Sequence, residues 1–211
     1  MRKLALSMRV TESQNYFEMR NSIAFEYISF FENLGFLVIL IPNNTKNVKA
    51  YLEDLKIDGV VLSGGNNVNP VLYEGKEELS SVYPQRDDIE KKLVELAIEK
   101  KLPLLGICRG FQYINVHFGG SIVHNIEGHV KKDHILISAN TFLENAKTNS
   151  YHNQAIYENN MSKELEVIAK TEDGVVEAIS HNKHKILGLQ WHPERHNIIE
   201  DKNLIQDFFN N

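Results

Sequence analysis

Short unbroken apolar runs alternate with segments of helical spacing through the first half of this chain, and that alternation limits the fold more than any other feature. Residues 3–10 read as a strand. Residues 14–35 carry Phe17, Ile23, Ala24, Tyr27, Ile28, Phe31 and Leu34 at helical spacing, with Gly35 as the stop. Phe36 to Ile41 is continuously apolar, which predicts a strand buried on both sides. A short helix over 48–55, a strand over 58–62, a loop over 66–85 and a long amphipathic helix over 87–101 follow. Asp87 and Glu90 have the spacing of a capping box, so their charges read as structural. Such alternation gives an α/β fold, a mostly parallel sheet with helices on both faces. Sheets of this kind bind ligands beyond the carboxyl ends of their strands.

One of those ends is unusual. The apolar run 102–105 leads into Gly106-Ile107-Cys108-Arg109-Gly110, and helical spacing resumes over 111–116. Glycines stand two before and two after the cysteine. This is the sulfur version of the strand–turn–helix nucleophile elbow. The turn is strained, and glycines let neighbouring elements approach closely. The thiol then lies beside a helix N-terminus, whose partial positive charge favours thiolate. Cys108 is the only cysteine among 211 residues. No internal disulfide can form, which fits a cytoplasmic protein.

After Gly119-Gly120 the texture changes to short alternating segments at 135–137, 165–169, 175–179 and 186–190, read as strands, some antiparallel. Asp173-Gly174 is a turn signal, and a helix over about 201–209 closes the chain. With no repeat or linker, a single domain over 1–211 is expected. The net charge of −5 is scattered, which argues against a nucleic-acid surface or a membrane-binding helix. The first residues lack the apolar core of a signal peptide.

A thiolate nucleophile needs a base, and the base needs an orienting partner. His192 stands just past a strand end, stiffened by Pro193 and followed by Glu194. The other histidines are less informative. His117, His124, His129 and His134 show no metal-ligand spacing, and no metal is expected; His181 and His184 flank a polar turn and read as exposed. For an oxyanion, the backbone N–H of Arg109 and one from Gly64-Gly65 are the candidate donors.

Taken together these pieces resemble the class I glutamine amidotransferase-like superfamily, and within it the gamma-glutamyl hydrolase branch. Ser63-Gly64-Gly65-Asn66-Asn67-Val68-Asn69-Pro70 matches S-G-G-x-D-V-x-P, and Arg86-Asp87-Asp88-Ile89-Glu90 matches R-D-x-x-E. Gly106 through Gly120 follows G-I-C-R-G-x-Q-x-I-N-V-x-x-G-G; Asn149-Ser150-Tyr151-His152-Asn153-Gln154 follows N-S-x-H-H-Q; Gln190 to Glu194 is Q-W-H-P-E. The resemblance covers nearly the whole chain. It implies a flavodoxin-like sheet with added antiparallel strands in the C-terminal half. It also implies a Cys108–His192–Glu194 triad, an oxyanion hole from the Gly65 and Arg109 amides, Gln112 beside the glutamyl group, and Ser150, Tyr151 and His152 at the substrate pocket.

The reaction implied is hydrolysis of a gamma-glutamyl amide through a glutamyl thioester, with no cofactor, no nucleic acid, no membrane and no obligate synthetase partner. A homo-oligomer is left open. Three departures bear on the leaving amine: Asn67 replaces a usual Asp, Asn153 the second His, and His124 a usual Gln. Losing an acid and gaining neutral or basic groups suits a leaving group with less positive charge, an anionic amine at the extreme. Branch members that cleave a gamma-glutamyl-linked cytidine diphosphate amidate, in capsule phosphoramidate synthesis, supply one candidate substrate. Gamma-glutamyl-gamma-aminobutyrate, from polyamine breakdown, is the alternative. A glutaminase subunit delivering ammonia to a separate synthetase is a further one.

Overall fold

The computed structural model describes residues 1–139, 143–196 and 198–210. The first half runs β1 (Arg2–Ser7), β2 (Arg9–Glu12), β3 (Met19–Ser22), α1 (Phe25–Asn33), β4 (Phe36–Ile41), α2 (Val48–Asp54), β5 (Gly59–Leu62), α3 (Pro84–Glu99), β6 (Leu104–Ile107) and α4 (Arg109–His117). The second half runs β7 (Val123–His124), β8 (Val130–Ile135), β9 (Ile137–Ser138), β10 (Lys147–Tyr151), β11 (Gln154–Ala155), β12 (Leu165–Lys170), β13 (Val176–His181), β14 (Ile186–Leu189), α5 (Pro193–His196) and α6 (Ile199–Asn210).

The central sheet has the order β4-β1-β5-β6-β14-β13-β12-β9. Its first five strands are parallel and the remaining three antiparallel. Residues of the parallel strands alternate between two apolar layers, as the period-2 pleat requires. Ala5, Val60, Leu62 and Leu104 pack with Leu52, Leu93, Phe111 and Ile114 of α2, α3 and α4. Leu4, Leu6, Val61 and Leu105 pack with Tyr27, Phe31, Ile205 and Phe209 of α1 and α6. Both faces are therefore covered by helices, as expected for parallel strands. Two small ribbons, β8–β10 and β7–β11, stand apart from the sheet and carry the segment around residues 149–154.

Four expectations need correction. Residues 14–24 are not helical: β2 and β3 pair as a hairpin, closed by the Ser13 N–H on the Glu18 carbonyl at 3.0 Å, and the helix begins only at Phe25. Phe17 is exposed, so its place in that spacing never met a core. β4 is an edge strand, hydrogen-bonded only to β1 among the described residues, and Leu37 is exposed rather than buried. Pro84 starts α3 ahead of Asp87, so Asp87 and Glu90 lie inside the helix and cap nothing; both are buried against Arg109. His181 is buried, its ring edge-on to Phe118 and its Nδ1 accepting the Lys183 N–H at 2.9 Å. Among the described residues, no helix is long and apolar enough to cross a membrane.

Candidate active site

Strands β5, β6 and β14 are neighbours and end together, the register setting Leu62 against Gly106 and Leu189 against Ile107. Their carboxyl ends carry Ser63-Gly64-Gly65, Cys108 and His192 onto one edge. Cys108 caps α4 with φ 52° and ψ −103°, in the left-handed half of the map that side chains rarely enter. Its N–H bonds the Leu189 carbonyl at 2.8 Å, and its carbonyl accepts from Gln112 N–H at 3.1 Å. The flanking glycines are a packing requirement. A β-carbon on Gly110 would sit 2.2 Å from the Leu62 carbonyl oxygen, and one on Gly106 would sit 2.7 Å from the Gly110 backbone. Only with both bare can α4 start this close above β5 and β6.

His192 is fixed from three sides. Its Nδ1 lies 2.7 Å from Glu194 Oε1. The Asn149 side chain clamps its backbone, accepting the His192 N–H at 2.9 Å and donating to the His192 carbonyl at 2.7 Å. The Tyr151 ring stands edge-on at 5.8 Å, with the Arg195 guanidinium 4.6 Å over its own face. With Nδ1 committed to Glu194, Nε2 is the ring atom left for the thiol. Burial pushes the Cys108 thiol up, but the charge and hydrogen bond of His192, with a contribution from His152, more than reverse this and hold it below the ordinary range. Burial pushes His192 down, yet the Cys108 thiolate and then Glu194 raise it to about 9. The arrangement can therefore hold a thiolate–imidazolium pair near neutral pH.

The loop opposite is held by its own network. Gly64 N–H donates to the Tyr27 hydroxyl at 2.8 Å, and Gly65 has φ +84°. The Arg86 guanidinium donates to the carbonyls of Ser63, at 2.6 Å, and Gly65, and through Nε to Glu90 at 3.0 Å. Glu90 also accepts from the Ser7 hydroxyl at 2.8 Å and from Arg109, which pairs with Asp87 as well. The Arg109 side chain thus points away from the thiol. Its backbone N–H, in the first turn of α4, has no intrahelical acceptor.

A cleft of about 150 Å³ brings together Gly65, Asn67, Cys108, Arg109, Gln112, Tyr151, His152, Asn153 and His192. It also includes Gln154, the end of the N-S-x-H-H-Q segment, and adds Arg195, which the sequence did not single out. Ser150 and His124 stand outside this lining. Ser150 donates to the His129 carbonyl, and His124 Nε2 lies 2.8 Å from the Tyr73 hydroxyl. Asn67 is pinned, donating to the Ser80 carbonyl and accepting from Gln154, each at 2.8 Å. His152 donates from Nδ1 to the Gln154 carbonyl at 2.8 Å and has Nε2 3.4 Å from Glu177 Oε1. Sequence reasoning missed Tyr27, the loop-holding role of Arg86, and Glu177. The signal for Glu177 was there, a lone acid inside the apolar run 175–179.

The chain resembles known proteins along most of its length. The Peptidase C26 family profile matches residues 4–194. A glutamine amidotransferase-like protein of Lactococcus lactis is 36% identical over 189 residues, covering 80% of this chain and 78% of the relative. The gamma-glutamyl-CDP-amidate hydrolase of Campylobacter jejuni is 30% identical over 207 residues, covering 98% of this chain and 96% of the relative. A crystal structure of a glutamine amidotransferase from Thermotoga maritima superposes with a TM-score of 0.64 at 16% identity, covering 98% of this chain and 96% of that one. At that identity the likeness speaks for the fold alone.

Proposed function

The chain belongs to the Peptidase C26 family, within the class I glutamine amidotransferase-like proteins, and from that premise we propose that it hydrolyses a gamma-glutamyl amide through a thioester on Cys108. The observation that carries this reading is the strained Cys108 elbow facing the buried His192–Glu194 pair across neighbouring strand ends. In the proposed reaction, the Cys108 thiolate attacks the gamma-carbonyl carbon and the C–S bond forms. The carbonyl oxygen takes up the charge between the Gly65 and Arg109 backbone N–H groups. His192 gives its proton to the amide nitrogen, the C–N bond breaks, and the amine departs. Water then attacks the thioester while His192 takes its proton. The C–S bond breaks, glutamate leaves, and the thiolate–imidazolium pair is restored.

The electrostatics suit both halves. The Cys108 charge is the first of the groups that hold His192 protonated against its burial. A thioester has no such charge, so an acylated enzyme keeps His192 neutral, ready to act as base on water. Glu194 orients the ring in both steps without transferring a proton itself.

The leaving amine we infer to be anionic. No carboxylate lines the cleft among the described residues, Asn67 presents a pinned neutral amide, and Arg195 stands at the mouth. Arg9 adds a second cation, packed against Gly65. The Campylobacter relative, matched over 98% of this chain, is a gamma-glutamyl-CDP-amidate hydrolase, which makes that compound the first candidate. The test is glutamate release from gamma-glutamyl-CDP-amidate, gamma-glutamyl-gamma-aminobutyrate, a cationic gamma-glutamyl amine and free glutamine. The nucleotide conjugate should give the highest kcat/KM. Preference for the cationic amine overturns the charge argument. Turnover of glutamine alone favours an ammonia-delivering glutaminase.

A further inference from the structure

Behind the cleft, three buried side chains turn only acceptors toward one another. His129 precedes β8, His152 joins β10 to β11, and Glu177 lies in β13. They are 2%, 4% and 0% exposed. Each histidine has its outer ring nitrogen occupied: His129 Nε2 lies 2.9 Å from the Asp173 carboxylate, and His152 Nδ1 lies 2.8 Å from the Gln154 carbonyl. Both partners accept, so the protons sit on those outer nitrogens. In their neutral tautomers His129 Nδ1 and His152 Nε2 turn lone pairs inward; a proton on His152 Nε2 would instead be shared with Glu177. The two nitrogens lie 4.0 Å and 3.4 Å from Glu177 Oε1, and the three inward atoms all fall within 4.8 Å of one another. Among the described residues, neither inner nitrogen and neither Glu177 oxygen has a hydrogen-bond partner. Buried acceptors facing each other without a donor are costly unless a cation lies between them.

We propose that His129, His152 and Glu177 form a site for one divalent transition cation of the zinc class. Two imidazole nitrogens and a carboxylate are a zinc donor set, with a fourth position for water or a further ligand. The outer contacts to Asp173 and to the Gln154 carbonyl are of the kind that fix tautomer and ring orientation in metal-bound histidines. A hollow of about 600 Å³ lies beside the cluster, lined in part by His129, His134 and Asp173. The bound ion would tie the ribbon that carries His152, a wall of the cleft, to β13 of the central sheet.

The test uses the full chain carrying Cys108→Ala, which removes the thiol as a competing ligand and leaves the cluster intact. Binding is thereby measured on a protein that cannot turn over, so the result is separate from the hydrolase assay. After EDTA treatment and dialysis, calorimetric titration with Zn²⁺ should give one equivalent per chain, and Co²⁺ should give the visible spectrum of a tetrahedral nitrogen–oxygen site. Adding Glu177→Gln or His129→Gln should abolish this uptake. Asp173→Ala should weaken it by about 10–100-fold. Asp173 has a largely exposed side chain, so this variant keeps the test decisive even where a core substitution unfolds the chain. No Zn²⁺ uptake, or uptake unchanged by Asp173→Ala and Glu177→Gln, overturns the proposal and leaves the cluster closed by protons.

Discussion

Two buried charge clusters flank the Cys108 elbow. On the α3–α4 side, Arg86 and Arg109 meet Asp87 and Glu90, two cations against two carboxylates, in contact. On the β13 side, His129, His152 and Glu177 turn acceptors to acceptors. Each cluster backs one wall of the same cleft: the first holds the Ser63–Gly65 loop, the second stands behind His152. The first balances its charges within the chain, although Asp87 Oδ2 and Arg109 Nε are left without a hydrogen bond among the described residues. The second sets two imidazoles about one carboxylate and closes only when a cation or a proton lies between them. A buried polar network therefore has to be judged by whether its donors and acceptors balance, and only the unbalanced one points to a ligand.

The comparison supposes that both walls serve one thiol, and the largest effect tests that supposition. Cys108→Ala should reduce glutamate release by on the order of 10⁶-fold, and His192→Ala by a similar factor. Glu194→Gln should cost less, about 10⁴-fold, because the residue orients without moving a proton. Full activity in the Glu194 variant would remove it from the proposed triad.

The clusters can be set against each other by urea unfolding in EDTA. Glu90→Gln leaves two buried guanidinium groups short of a partner and should destabilise the chain by about 3–5 kcal/mol. Glu177→Gln removes a carboxylate that has no donor, and its cost should stay under about 1 kcal/mol. Equal costs would make the two clusters alike and end the contrast.

The pH dependence is a finer probe. The thiol lies below its ordinary range and His192 is raised to about 9, so kcat/KM should form a plateau across neutral pH. It should fall on the acid side as the thiolate is protonated, and on the alkaline side near 9 as His192 loses the proton the amine needs. An alkaline limb well below that value would contradict the ion pair. The smallest effect is in alkylation: iodoacetamide should modify Cys108 faster than a free thiol at neutral pH, and His192→Ala should return the rate to ordinary. An ordinary rate in the unsubstituted chain would argue against a depressed thiol.

The elbow was legible in the sequence because its constraint is local. Gly106 and Gly110 are needed by backbone contacts that recur wherever this turn is built. The parallel sheet was legible for the same reason, from Val60–Leu62 and Leu104–Leu105 as short apolar runs. Asp87 and Glu90 misled because residues three apart serve a capping box or a buried ion pair equally well, and only the distant Arg109 separates the two. Residues 14–24 misled because helical spacing at Phe17 and Ile23 says nothing of the hairpin partner at Arg9–Glu12. The His129–His152–Glu177 cluster was out of reach, since strand pairing far along the chain brings those residues together.

The place of β14 has a consequence for how the chain is made. The strand is translated late but sits in the middle of the sheet, against β6. A nascent chain on the ribosome displays Cys108 with no Leu189 carbonyl to hold its N–H and no His192 to draw off its proton. Its thiol stays ordinary until β14 threads in beside it. Order of synthesis therefore acts as a safety catch, and reactivity arrives together with the finished fold.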